Sequence, residues 1–384
     1  MVLDFIPYGK QSIDEEDIKA VTNVLRSDWL TTGPMVEAFE KAVAELVGAK
    51  YAVAFSSGTA GLHAAAFASN IVNGAEVLVP PMTFVATANS VVYQGGTPVF
   101  VDVEPDTLLI DPLKLEEKIN PKTRAIIAVD YAGQPCNYDA LIKIAEKNNL
   151  ILISDACHAL GAKYRGNRIG SLADLTVFSF HPVKHITTGE GGMVVTDNVD
   201  FANRMRRFRN HGIQTDYRQR AEAGTWFYEM VDLGYNYRLT DIQCALGLSQ
   251  MRKLGGWIER RREIAKMYDE GFRGESCVKA LKVNEDAFHV YHLYVVQLSI
   301  DKLKSSKAQI FSSLRNAGIG VNVHYIPVHL HPYYKVNFGT SLGLCPVAES
   351  AYERILSIPI FPGMSDDDVN RVIVEVKKVL EKCS

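Results

Sequence analysis

Nothing in this sequence approaches the roughly 18 consecutive apolar residues that a membrane-spanning helix needs, and no segment of it is repeated or of low complexity. It also lacks a charge excess. The 41 Lys and Arg stand against 44 Asp and Glu, a net charge of −3, so electrostatics makes no case for nucleic acid or an acidic membrane surface. Cysteines are few and unpaired in spacing: Cys136, Cys157, Cys244, Cys277, Cys345 and Cys383. That pattern sets aside a disulfide framework or a zinc site and reads as reduced thiols in a cytoplasmic protein. Asp4, Asp14, Glu15, Glu16 and Asp17 near the start argue against a secretory signal.

What is present is an ordinary globular balance. With 384 residues, 47% hydrophobic and 22% charged, the chain has material for one large and one smaller domain. From about residue 50, short apolar strands alternate with helical segments: EVLVPP then TFVATANSVVYQG, TPVFVDV then DPLKLEEKI, TRAIIAVDYAG then DALIKIAEKNN, then NLILISDA. This alternation predicts an α/β fold, a mostly parallel sheet flanked by helices. A long helical stretch begins near Thr240, with a break expected at Gly255-Gly256. Beyond Asp286 the pattern reads strand (HVYHLYVVQLS), helix (SSKAQIFSSLRNAG), strand (GVNVHYIP) and two more helices. In the last helix, apolar residues from Val369 to Leu380 recur at helical spacing behind Ser365 as cap. The expected division is a large domain over 1–245, then an interdomain helix and a small α+β domain over 246–384.

In open α/β sheets, ligands bind beyond the carboxyl ends of the strands, and four such ends carry chemistry. YAVAFSSGTAGLH places Gly58, Thr59 and Ala60 at the start of an Ala-rich helix. Small residues and free N–H groups there suit a phosphate, although a plain Ser/Thr cap is the alternative. ILISDACHALG leaves Asp155 at the end of an apolar strand, where the carboxylate needs a positive partner or several hydrogen-bond donors. SFHPVKHITTGEGG puts Ser179 at a strand end and Lys184 five residues on, before glycines that let the chain double back. Such a lysine is either snorkelling to water or kept for its amine. LGYNYRLTDIQ sets Asn236 and Arg238 in a polar turn, with Thr240 or Asp241 available as helix cap.

Together these four fit pyridoxal 5′-phosphate. That cofactor needs a phosphate cup, a carboxylate to keep its pyridine nitrogen protonated, and a lysine to form the Schiff base. Asp155 and Lys184 are the candidates for the last two. Phe84 could stack on the ring and His158 could reach its hydroxyl; a core Phe and a structural His are the alternatives. His181 and His185 flank the lysine without an assigned role. No metal is implied.

The ordered motifs SSGTAGLH, PPMTFVATAN, SDACHALGA, FSFHPVKHITTGEGG and GYNYRLTDIQCALGLSQ resemble the DegT/DnrJ/EryC1/StrS family of sugar aminotransferases over nearly the whole chain. The resemblance implies the fold-type-I aminotransferase architecture and a homodimer with shared active sites, Asn236 reaching the partner's cofactor phosphate. It also implies roles for Thr59, Ala60 and Ser179 on the phosphate, Phe84 on the ring, Asp155 on the pyridine nitrogen and Lys184 as the attachment lysine. His158 stands where much of the family has Gln. With IPYGKQSIDEEDI, SDWLTTGP and VHYIP, it makes the chain similar to the pseudaminic-acid branch, which aminates a UDP-linked 4-keto-6-deoxy-N-acetylhexosamine. In that branch Tyr8, Asp28, Trp29, Leu30, Thr31, Val323, His324, Tyr325 and Ile326 match positions that contact nucleotide sugar. The implied reaction runs in two halves, L-glutamate giving pyridoxamine phosphate and the keto-sugar taking the amino group. A thymidine-linked 4-keto sugar or a UDP-4-keto-pentose is the alternative acceptor. A pyridoxamine-dependent sugar dehydratase would carry His where Lys184 stands, and a non-catalytic regulator would not need Lys184 or Asp155.

Overall fold

Apolar strands buried on both faces build the centre of the molecule, seen in a computed structural model that describes residues 5–215 and 217–383. The strands are β1 (Tyr51–Phe55), β2 (Glu76–Val79), β3 (Thr97–Phe100), β4 (Thr123–Val129), β5 (Ile151–Asp155), β6 (Leu175–Ser179) and β7 (Gly192–Thr196). They lie in the order β1-β7-β6-β5-β4-β2-β3. Pairs β2/β3, β2/β4, β4/β5 and β5/β6 are parallel, and β7 alone runs against its neighbours β6 and β1. Near-continuous runs such as AIIAV suit this burial, because helices cover both faces of a parallel sheet. The mostly parallel α/β fold is therefore the one the alternation predicts.

The topology gathers chemistry at one edge. The carboxyl ends of β1, β5 and β6 point the same way, and Gly192, at the start of β7, pairs with both Phe55 and Ser179. A Cβ on Gly192 would lie 2.4 Å from the carbonyl oxygen of Ser57 and 2.7 Å from the nitrogen of Gly58. Only glycine lets β7 pass this close to the loop after β1. The helix Gly58–Ala68 that follows is buried along most of its length. A Cβ on Gly61 would touch Val177 at 3.1 Å and Val194 at 3.2 Å. Small residues thus seat this helix directly on β6 and β7, with its N-terminus at the functional edge.

Two apolar cores are present among the described residues. The larger surrounds the seven-stranded sheet and includes Leu254 and Ile258. The smaller packs Ile264 and Tyr268 of the long helix Leu254–Gly271 with the helix Asp366–Cys383 and an antiparallel sheet of Val278–Ala280, Tyr294–Leu298 and Ile355–Ile358. The expected boundary at residue 246 falls inside the helix Asp241–Met251.

Several local expectations are corrected. The helix break comes before Gly255, between Met251 and Leu254, where Lys253 turns its amine onto Asp14 at 2.5 Å and Asp17 at 2.9 Å. GVNVHYIP forms no strand; it makes one bridge, Asn322 to Ser357. The strand in that region is Ile355–Ile358, and three helices, not two, follow GVNVHYIP. In HVYHLYVVQLS only Tyr294–Leu298 pairs in the sheet, because the N–H groups of Val290 and Leu293 bond instead to the carbonyls of Gly133 and Ala132. At the polar turn, Thr240 caps its helix in a capping box with Gln243. Asp241 caps a different helix, accepting from Gly33 N–H at 2.7 Å and Met35 N–H at 2.9 Å. Ser365 caps the last helix as expected, in a reciprocal pair with Asp368.

Candidate active site

A cleft of about 570 Å³ opens at the functional edge, reaching from Ser57, Gly58 and Thr59 to Asp155, Ser179 and Lys184. Ser57 starts the Gly58–Ala68 helix and accepts from Ala60 N–H at 3.1 Å. Ala60 is thus occupied inside the helix, and its side chain is buried. Gly58 and Thr59, in the first turn at the positive end of the helix, line the cleft together with Ser179. A Cβ on Gly58 would lie 2.9 Å from the Cβ of Ser179. The two strand ends therefore close into a cradle sized for backbone donors.

Asp155 ends β5 and is 6% exposed. The sequence demanded either a cation or several donors for it, and the fold supplies donors. Thr87 Oγ1 donates to Asp155 Oδ2 at 2.6 Å, and Cys157 N–H donates to Oδ1 at 3.2 Å. Thr87 has one hydroxyl proton, spent on the carboxylate, so at 2.7 Å it accepts from Thr83. Both threonines lie in PPMTFVATAN, the same segment as Phe84. Phe84 itself is 57% exposed at the cleft, with its ring 6.2 Å from that of Tyr325.

Lys184 sits in the turn between β6 and β7, its N–H donating to His181 O at 2.9 Å. The turn is closed by Phe180 N–H to Gly191 O at 2.9 Å and Thr188 N–H to Phe180 O at 3.0 Å. Burial pulls the Lys184 amine below its ordinary pKa, opposed by Cys157 and Asp155. That favours the neutral, nucleophilic amine. The same burial holds Cys157 well above the usual thiol range, which makes it inert.

The amine does not face His181 or His185. Its polar neighbour is His292, with Nε2 3.4 Å from Lys184 Nζ, a residue the strand pattern of HVYHLY had hidden. His185 is buried and contacts Val290 O at 3.0 Å, and the His181 side chain is exposed at the cleft mouth. His158 lies under Tyr325, its Nδ1 accepting from Ala132 N–H at 3.3 Å and its Nε2 3.1 Å from Tyr325 Oη. Burial and the nearby Lys184 hold His158 well below the usual histidine range.

The opposite wall carries Tyr8, Asn322, Val323, His324 and Tyr325. Tyr8 packs on His324 at 5.4 Å between rings, and His324 Nδ1 meets Ser357 Oγ at 2.8 Å. Ile326 is exposed, next to this wall but outside the cleft lining. The remaining sequence candidates lie elsewhere. Asp28, Trp29, Leu30 and Thr31 are exposed beside the Asp241–Met251 helix, held by Asp241 N–H to Leu30 O and the Thr31–Thr240 bridge. Asn236 is also exposed, bridged to Asn210. The chain's own fold does not bring these residues into its own cleft.

The donor set fits pyridoxal 5′-phosphate: a glycine cradle at a helix N-terminus, a buried carboxylate held by a threonine pair, and a partly buried lysine whose amine is biased neutral. Among the described residues no cluster of His, Cys, Asp and Glu suits a metal ion, and no helix is long and apolar enough to cross a membrane.

Comparison with known proteins agrees. The model of the DegT/DnrJ/EryC1/StrS aminotransferase family matches residues 11–377. The spore coat polysaccharide biosynthesis protein SpsC of Bacillus subtilis is 41% identical over 379 residues, 98% of this chain and 97% of that protein. Among solved structures, Helicobacter pylori PseC, an aminotransferase involved in the biosynthesis of pseudoaminic acid, is 35% identical. It superposes with a TM-score of 0.92 over 99% of this chain and 100% of PseC. Spr1654 of Streptococcus pneumoniae, assigned as a sugar aminotransferase, gives a TM-score of 0.93 in its PMP form and 0.92 in its PLP form. It is 34% identical, covering 98% of this chain and 99% of Spr1654.

Proposed function

The chain belongs to the DegT/DnrJ/EryC1/StrS aminotransferase family, and from that premise we propose that it aminates a nucleotide-linked 4-keto-6-deoxy sugar with L-glutamate as donor. The family is one of pyridoxal-phosphate-dependent sugar aminotransferases, so the cofactor and the reaction class come with membership. The observation that carries the reading is the joint placement of Lys184 and Asp155 in one cleft with the glycine cradle.

When bound, the cofactor supplies an electron sink that stabilises a carbanion at the substrate carbon. Lys184 is the residue that binds its aldehyde and, once released, moves a proton at the substrate carbon through Nζ. Asp155, fixed by Thr87, holds the proton on the pyridine nitrogen. Gly58, Thr59 and Ser179 hold the phosphate through N–H and hydroxyl donors. Phe84 and His158, which also line the cleft, would stack on the ring and meet its hydroxyl.

The acceptor is read as UDP-4-keto-6-deoxy-L-N-acetylhexosamine, as in pseudaminic acid synthesis. Support comes from the likeness to PseC and from Tyr8, His324 and Tyr325, which line the same cleft as Asp155 and Lys184. Asp28–Thr31, Asn236 and Ile326 act in this reading across a homodimer. An exposed apolar run, Trp226, Phe227, Met230, Val231 and Leu233, supports such a dimer by offering a surface on the Asn236 side. The test is a half-reaction screen. The protein is loaded with L-glutamate and offered UDP-4-keto-6-deoxy-L-N-acetylhexosamine, a dTDP-4-keto-6-deoxyhexose and a UDP-4-keto-pentose. Amination of the first, identified by mass and NMR, is expected; amination of either of the others alone would contradict the assignment.

A further inference from the structure

One buried imidazole at the site has no role in this scheme. We propose that His292 is a positioning residue for Lys184, accepting a hydrogen bond from its ε-amine whenever that amine is free and so aiming it at the substrate carbon. The inference rests on the reading of Lys184 as the attachment lysine.

Four imidazoles crowd beneath the lysine, and three are engaged elsewhere. His158 uses both ring nitrogens, on Ala132 N–H and Tyr325 Oη. His185 Nε2 contacts the Val290 carbonyl at 3.0 Å. His324 contacts Ser357 at 2.8 Å and Asn322 at 3.4 Å. His292 differs. Its Nδ1 has no partner among the described residues, and its Nε2 lies 3.4 Å from Lys184 Nζ. In a buried site a polar ring is costly to leave unpaired, so this contact is the ring's one polar engagement.

The backbone fixes that ring. Val290 N–H bonds Gly133 O and Leu293 N–H bonds Ala132 O, while the His292 carbonyl accepts from buried Arg261 at 3.4 Å. A Cβ on Gly133 would lie 3.0 Å from the His292 nitrogen and 2.8 Å from the His158 carbonyl, so glycine permits the three segments to meet. The ring packs 4.4 Å from His158 and 5.8 Å from His185.

The charged and titratable groups facing this pair are Lys184, His158, His185 and Arg261 around His292, and Asp155, Cys157, His158, His185 and His324 around Lys184. Burial first, and then Lys184 and the neighbouring histidines, hold His292 well below the usual range. It stays neutral and keeps a lone pair for the amine. An acceptor stabilises an ammonium more than an amine. Removing it should therefore lower the pH at which Lys184 loses its proton.

The test uses the holoprotein converted to its pyridoxamine-phosphate form by L-glutamate, in which Lys184 is free. Competitive acetylation with peptide mapping then reports the Lys184 titration midpoint. In His292→Leu that midpoint should fall by about one pH unit. The single-turnover rate with L-glutamate should drop roughly tenfold or more, with unchanged cofactor content. His292→Gln, which keeps an acceptor, should recover both. His292→Met serves as the apolar variant if the leucine chain does not fold. An apolar variant with the wild-type midpoint and single-turnover rate would overturn the proposal while leaving the attachment role of Lys184 intact. A reduced cofactor adduct on another residue in the wild-type protein would remove the premise itself.

Discussion

Thr87 Oγ1 lies 2.6 Å from Asp155 Oδ2, across 68 residues of sequence. The helix Ala86–Tyr93 after β2 and the strand β5 thereby meet at the acid, with Thr83 behind the threonine at 2.7 Å. The carboxylate reaches the cleft already oriented, before any ligand is considered.

Thr87→Val removes that donor without changing the side-chain shape much. A hydrogen bond to a charged group contributes about 1.5–3 kcal/mol, so pyridoxal phosphate should bind roughly tenfold or more weakly. Equilibrium dialysis against the cofactor measures this. Unchanged affinity would show that Asp155 is oriented by Cys157 N–H alone.

Gly192→Ala sets a methyl group against Ser57 O and Gly58 N. The backbone has to shift, at a cost of about 1–3 kcal/mol, and the shift falls on the phosphate cradle. The variant should show both a lowered Tm and weakened cofactor binding. A lowered Tm with intact binding would mean that the loop after β1 does not hold the phosphate.

Asp241 is fully buried and caps a helix it does not belong to. Asp241→Asn keeps one acceptor and turns an amide N–H toward a backbone N–H. Destabilisation of about 2 kcal/mol is expected, read as a shift in urea midpoint. The segment Asp28–Thr31, tied to the same helix, should become more open to proteolysis. Protection equal to wild type would contradict that link.

Stability should fall as the solution is acidified below about pH 6.5. Burial holds His158, His185 and His292 well below the ordinary histidine value, His63 at about 4, and His289 and His324 at about 3. The unfolded chain protonates these rings near 6.5, so it binds more protons than the folded chain from there downward. Each ring removes about 1.4 kcal/mol per pH unit within its window. Asp130, raised to about 6 by burial, and Asp269, also raised by burial, work in the opposite sense, but they are two groups against several. Urea midpoints measured between pH 7 and pH 4 should decline steadily; a flat profile would show that the rings are charged in the fold.

Much of the site was legible because its residues are local to strand ends. Asp155 and Ser179 end apolar runs, Gly58 and Lys184 follow within five residues of one, and burial alone called for either a cation or several donors at Asp155. Thr240 and Ser365 were readable as caps, since each has its partner three residues on. What pattern could not reach was contact across long separations. His292 meets Lys184 over 108 residues, and Asp241 meets Gly33 over 208. GVNVHYIP misled because its alternation suits a strand, whereas the chain there lines the cleft. Gly255 and Gly256 looked like a break, yet the turn is set two residues earlier by Lys253 and its two carboxylates.

The most direct measurement is borohydride reduction of the protein with bound pyridoxal phosphate, followed by peptide mapping. A single stable pyridoxyl group on the peptide containing Lys184 is predicted, absent from Lys184→Ala. Label on any other lysine, or none at all, would contradict the account.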